Sequence, residues 1–144
     1  MRLITFFLLL SLILSCSSAK NTTVATNKLN GTWTPLRQEM AGVTIPQIAF
    51  AYQKLTILDT TYSFIAESVD KGIIKYTSDK MDIYGKEGVN AGKHITAIYK
   101  FAPNAVDTKE EQLTICYDLS GKTYPESYDT KGKTLHFLSV FTKN

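Results

Sequence analysis

Along the chain, apolar residues recur at every second position in short runs separated by turn-forming residues. The clearest pair of runs flanks a polar, acidic loop at residues 104–111. Before it, residues 94–101 place Ile95, Ala97, Tyr99 and Phe101 on one face. After it, residues 112–119 place Leu113, Ile115 and Tyr117 on one face and Thr114, Cys116 and Asp118 on the other. A period of two is that of a half-buried strand, so this stretch predicts two antiparallel strands and a loop.

The rest of the chain lays out as further strands beside that pair. Residues 32–39 form a first strand, with Pro35 marking a bend or an edge position. Residues 45–52 predict a short helix or an irregular lid, because Pro46 suits the start of a helical turn. In residues 54–58, Leu55 and Ile57 point inward; in residues 61–66, Tyr62, Phe64 and Ala66 do. Residues 72–77 and 80–84 form a hairpin around Ser78 and Asp79, with Met81 and Ile83 on one face. Residues 85–92 read as a Gly-rich loop, residues 123–128 as partly extended and residues 131–133 as a turn. The last strand, 135–142, puts Leu135, Phe137, Ser139 and Phe141 on one face, and His136, Leu138 and Val140 on the other.

This makes about eight short antiparallel strands in up-and-down order, an all-β barrel or sandwich. Closure into a barrel removes the strand edges that would otherwise pair with other chains. Eight strands enclose an interior that side chains just fill, or that holds one small ligand.

The first thirty residues follow a different pattern. Arg2 precedes a nearly unbroken apolar run at residues 6–14, too short for a permanent membrane span and of the length of a secretory signal. The run ends Ile13-Leu14-Ser15-Cys16 and resembles a bacterial lipobox, in which the cysteine is lipid-modified and becomes the new N-terminus. Two signals, diacylglyceryl and amide-linked chains, anchor stably where a single chain does not. The expected division is a signal peptide at 1–15, a lipid-anchored flexible tether at 16–28 and a barrel domain at 29–144. Ser17 rather than Asp follows the cysteine. By resemblance to Gram-negative sorting signals, this places the protein in the cell envelope at the outer membrane, with the membrane as its partner through the lipid.

Composition narrows the picture further. A chain of 144 residues is one domain, and 44% hydrophobic with 20% charged residues is a globular balance. The formal charge of +3 includes Arg2 in the leader, and no basic run with interleaved aromatics occurs, so nucleic acid is not an expected partner. With Cys16 taken by lipid, Cys116 is left without a disulfide partner in the domain, and its mid-strand position reads as a buried structural thiol.

Sequence signals for catalysis are sparse. His94 and His136 lie on different strands, without Cys or His neighbours at metal-ligand spacing, so neither a metal nor another cofactor is expected. Gly121-Lys122-Thr123 imitates the end of a phosphate loop, but the glycine required five residues earlier is Cys116. Glu110 and Glu111 read as a solvated hairpin tip. The expectation is therefore a protein that is not an enzyme. The suggestive feature is aromatic: eight Tyr, seven Phe and one Trp. Trp33, Tyr62, Phe64, Tyr99, Phe101 and Tyr117 fall on inward faces and are the candidate ligand-binding residues. They make either a pocket with apolar walls and phenolic tips for a small apolar ligand, or a filled core. The short strands favour the filled core. In that case the barrel is a structural or interaction module that presents loops such as 85–92 to an envelope partner. No residue names such a protein partner.

Several of these segments together carry a family resemblance. They are Leu29-Asn30-Gly31-Thr32-Trp33, Lys54-Leu55-Thr56-Ile57, residues 93–101, Leu113-Thr114-Ile115-Cys116-Tyr117, and the Gly121, Pro125 and Tyr128 positions. In order and spacing the chain from Leu29 to Lys143 resembles a family of bacterial lipocalin-like proteins with no established activity. The resemblance implies a lipocalin-like β-barrel in which the Gly31-x-Trp33 tryptophan closes one end. Two positions depart from the family pattern: Ala97 replaces a frequent glycine, and Tyr124 replaces a frequent arginine before the proline.

Overall fold

The computed structural model describes residues 27–103 and 111–144. The expected signal peptide, Cys16, most of the tether and Glu110 lie outside the described residues. Among the described residues nine strands form one antiparallel sheet: β1 (Gly31–Met40), β2 (Val43–Thr44), β3 (Lys54–Leu58), β4 (Thr61–Ile65), β5 (Val69–Tyr76), β6 (Lys80–Glu87), β7 (His94–Pro103), β8 (Glu111–Asp118) and β9 (His136–Lys143). Each long strand pairs with the next, and β1 pairs with β9, so eight strands close into an up-and-down barrel. The two-residue β2 only extends a hairpin on the end of β1. Residues 45–52 carry a single 3-10 turn at Gln47–Ala49, the only helix among the described residues.

The inward faces follow the alternation in sequence. Leu55 and Ile57 of β3, Met81 and Ile83 of β6, Ala97 and Tyr99 of β7 and Leu113 and Ile115 of β8 are buried in one core. Burying side chains of this kind contributes about 1.5–3 kcal/mol each relative to exposure. Three segments differ from expectation. β5 begins at Val69 rather than Gly72, which brings Asp70 into the barrel wall. The expected loop at 85–92 gives its first three residues to the ladder: β6 runs to Glu87, and the turn proper is Gly88 to Gly92. Residues 123–128 form no strand. They belong to a strap, residues 119–135, that leaves β8 and crosses the outside of the barrel before β9 begins.

Single side chains hold the strap down. Its base is closed by Leu119 N–H donating to the Leu135 carbonyl at 3.0 Å. Asp118 organises the first turn, accepting from Ser120 N–H at 2.9 Å, Ser120 Oγ at 2.6 Å and Thr123 Oγ1 at 3.2 Å. Thr96 of β7 donates to the Thr123 carbonyl at 2.5 Å. Lys100 of β7 sits over the Tyr128 ring at 4.3 Å. At the far end the buried Thr130 donates to Glu39 of β1 and accepts from Gly42 N–H at 2.8 Å. The strap thus covers β8 from β6 and β7 across to β1.

β1 changes phase partway along. Pro35 pairs with Phe141 and Arg37 with Val140, so Leu36 is an extra, unpaired residue in a β-bulge. Before the bulge Trp33 and Pro35 are buried. After it Leu36 and Arg37 are exposed and Gln38 is buried, opposite Ser139. Pro35 therefore sits beside a bulge in a doubly paired barrel strand. A proline there loses no more of the ladder than the bulge already interrupts.

Candidate functional site

The two ends of the barrel differ. At the end where β1 starts, Trp33 is buried and its Nε1–H donates to the Leu29 carbonyl at 2.8 Å. The Phe101 ring lies 6.1 Å from Trp33, tilted by 43°, and Tyr99 meets Phe101 edge-on at 6.0 Å. Lys143 caps the outer side of Trp33 at 5.2 Å. The Tyr99 hydroxyl donates to the Thr77 carbonyl in the β5–β6 turn. These contacts form a plug.

The other half of the barrel is not filled. A cavity of about 180 Å³ lies between the middle of the barrel and the β4–β5 and β6–β7 turns. Its apolar walls come from Leu55, Ile57, Ile74, Ile83, Ile115 and Phe141. Phe64, Phe137 and Ile95 line it nearer the mouth, and Leu119, 37% exposed, marks the rim. The filled core favoured by the short strands is thus realised in only half of the barrel. Gly72 offers no side chain on the inner face of β5, and the Tyr62 ring occupies the space a Cβ there would need.

Of the six aromatics picked out in the sequence, the structure brings Tyr62, Phe64 and Tyr117 to the cavity. It places Trp33, Tyr99 and Phe101 in the plug. Tyr117 packs on Phe137 with ring centroids 5.6 Å apart. Neither the Tyr62 nor the Tyr117 hydroxyl has a hydrogen-bond partner among the described residues. Burial pushes both phenol pKa values up. Tyr62 is raised further by the charge of Asp70, and Tyr117 by Cys116 and Tyr62. Both phenols are protonated at neutral pH and available as donors.

Sequence reasoning missed four polar members of this region. Asp70, only 4% exposed, accepts from Asn90 N–H at 3.0 Å and from Asn90 Nδ2 at 3.1 Å, which ties the β6–β7 turn to the wall. Gly88, at φ +86°, makes that turn and passes so close to Asp70 that no side chain fits. Gln38 bridges to Gln53 at 2.7 Å where β1 and β3 diverge. Ser139 is fully buried on the inner face, in register with Gln38 and Ile115, and its Oγ has no partner. Extending the alternation backwards from Ile74 through Gly72 would have found Asp70. Ser139 was already on the inward face but drew no notice as a small polar residue.

The reactive side chains lie elsewhere. Cys116 is buried on the outer face of β8, beneath the strap. Burial pushes its thiol up to about 11, against a smaller opposing pull from Lys133, while Glu39 raises it further. Such a thiol is protonated at neutral pH, unlike an activated nucleophile. His94, also outward, bonds Asp82 at 2.7 Å through Nε2 and stacks on Tyr84 at 4.7 Å.

Comparison of the chain with protein-family models, with curated proteins and with solved structures finds no match. The functional reading therefore rests on the geometry of the barrel and on the sequence signals that precede it.

Proposed function

We propose that this chain is a lipocalin-like, lipid-anchored protein of the bacterial cell envelope that is not an enzyme and holds a small apolar molecule in its barrel. The observation that carries the binding reading is the cavity of about 180 Å³ in a barrel whose opposite end is plugged. An apolar cavity of about 150 Å³ is enough to take up benzene, whereas drug-sized pockets run from about 300 Å³ upward. The occupant is thus a single substituted ring or a short aliphatic chain. The anchoring part rests on the lipobox-like run ending at Cys16, and the outer-membrane placement on Ser17. The non-enzymatic part is supported by the raised pKa of Cys116 and by the outward position of His94, away from the cavity.

Native mass spectrometry of the protein purified without its lipid tests the binding reading. A retained small molecule, or uptake of toluene as a probe, is the expected result. A bare protein that takes up no apolar probe overturns it in favour of a structural barrel.

A further inference from the structure

The polar groups of the cavity define the chemistry of its occupant more closely than its volume does. Among the described residues no Lys, Arg or His lines the cavity, and the one charged side chain there is the Asp70 carboxylate. Both Asp70 oxygens are turned to Asn90. The remaining polar groups of the lining are the Tyr62 and Tyr117 phenols, without a partner among the described residues, and the Gln38 and Asn90 amides, which are bonded to Gln53 and Asp70. Phenol hydroxyls set in an apolar wall orient a ligand that can exchange hydrogen bonds with them. A carboxylate entering the same space would lose its hydration, find no counter-ion and face Asp70.

We propose that the barrel selects a small, uncharged ring compound bearing a hydroxyl, of the phenol class, and rejects carboxylates of the same size. Aliphatic carboxylates of the fatty-acid type are rejected for the same reason. The inference rests on the ligand-binding reading above and adds to it the sign and the polarity of the ligand. The ring occupies the apolar middle between Ile57, Ile83 and Ile115. Its hydroxyl exchanges hydrogen bonds with the phenols of Tyr62 and Tyr117.

Isothermal titration of the full chain with four probes tests this: toluene, p-cresol, 4-methylbenzoate and 4-methylbenzylammonium. p-Cresol is expected to bind more tightly than toluene, and 4-methylbenzoate about tenfold or more weaker than p-cresol. Tyr117→Phe is expected to weaken p-cresol about fivefold and leave toluene unchanged, the signature of one lost neutral hydrogen bond. Asp70→Asn is expected to narrow the gap between p-cresol and the benzoate. Benzoate binding as tight as p-cresol in the wild-type chain overturns the proposal while leaving a ligand-binding barrel, and needs no variant to fold. Tighter binding of the benzylammonium than of p-cresol also overturns it, by showing that Asp70 recruits cations. Failure of toluene and p-cresol alike overturns both readings together.

Discussion

The Tyr124 hydroxyl donates to Asp82 Oδ2 at 2.6 Å, joining residues 42 apart in sequence. The bond pins the strap to the outer face of β6, and Lys80 covers the Tyr124 ring at 5.1 Å. Through this contact and its anchors on Thr96, Lys100 and Glu39, the strap shields the outer face of β8. Tyr124→Phe removes the latch without removing the ring. The expected outcome is faster labelling of Cys116 by a thiol reagent in the folded protein, with the denaturant midpoint little changed. Unaltered labelling would mean that the strap is held without Tyr124.

Acid should loosen the same region. In Asp82 burial raises the pKa, but hydrogen bonds from Tyr124 and His94 and the nearby charges of His94 and Lys75 outweigh it, and the net shift is downward. In Asp118 burial again raises the pKa, and the hydrogen bonds from Ser120 and Thr123 outweigh it. A carboxylate whose folded pKa lies below its unfolded value of about 3.9 stabilises the fold above that value. That contribution disappears as the pH falls through the lower, folded pKa. Urea midpoints are therefore expected to fall between about pH 5 and pH 2, and Asp118→Asn is expected to flatten the decline. A wild-type midpoint constant over that range would contradict the assignment.

Trp33 joins the plug through burial, a hydrogen bond and two ring contacts. Trp33→Ala is expected to cost about 3–5 kcal/mol, as for other large-to-small changes in a packed core. Equilibrium denaturation measures it. A midpoint equal to that of the wild type would show that the ring closes nothing.

Cys116 is expected to behave as a structural thiol. At pH 7 the folded protein should react with thiol probes far more slowly than a free model thiol, because the group is both covered and protonated. Cys116→Ser should retain p-cresol binding, since the cavity lies on the other side of the sheet. Labelling faster than the model thiol would instead mark an activated cysteine.

Cys16→Ser tests the anchor, because a serine hydroxyl cannot form the thioether. The variant is expected to leave the detergent phase on partitioning, and wild-type partitioning would remove the lipoprotein reading.

The barrel was legible because alternation survives in almost every strand: Leu55 and Ile57, Met81 and Ile83, and Leu113 and Ile115 announce their faces two residues at a time. The strap was not legible, because its anchors Tyr124, Tyr128 and Thr130 act singly and follow no period. Asp70 was hidden by Gly72, which read as the start of a strand when it is a position inside one. Half of the aromatic set, Tyr62, Phe64 and Tyr117, reached the cavity and half reached the plug. Sequence assigns a face but not a height along the barrel, and height separates the two sets.

The bulge at Leu36 divides β1 into two halves read in opposite frames. The first half turns Trp33 and Pro35 inward, and the second delivers Gln38 to the cavity. A straight strand of the same sequence would carry Arg37 and Glu39 inside and turn Gln38 outward. Loss of Leu36 would leave both inward sets where they are. The tolerance of β1 to insertion and deletion is therefore lopsided: one residue can be dropped at this position without altering what lines the cavity. A change that merely irons the strand flat would rewrite the interior with two charges.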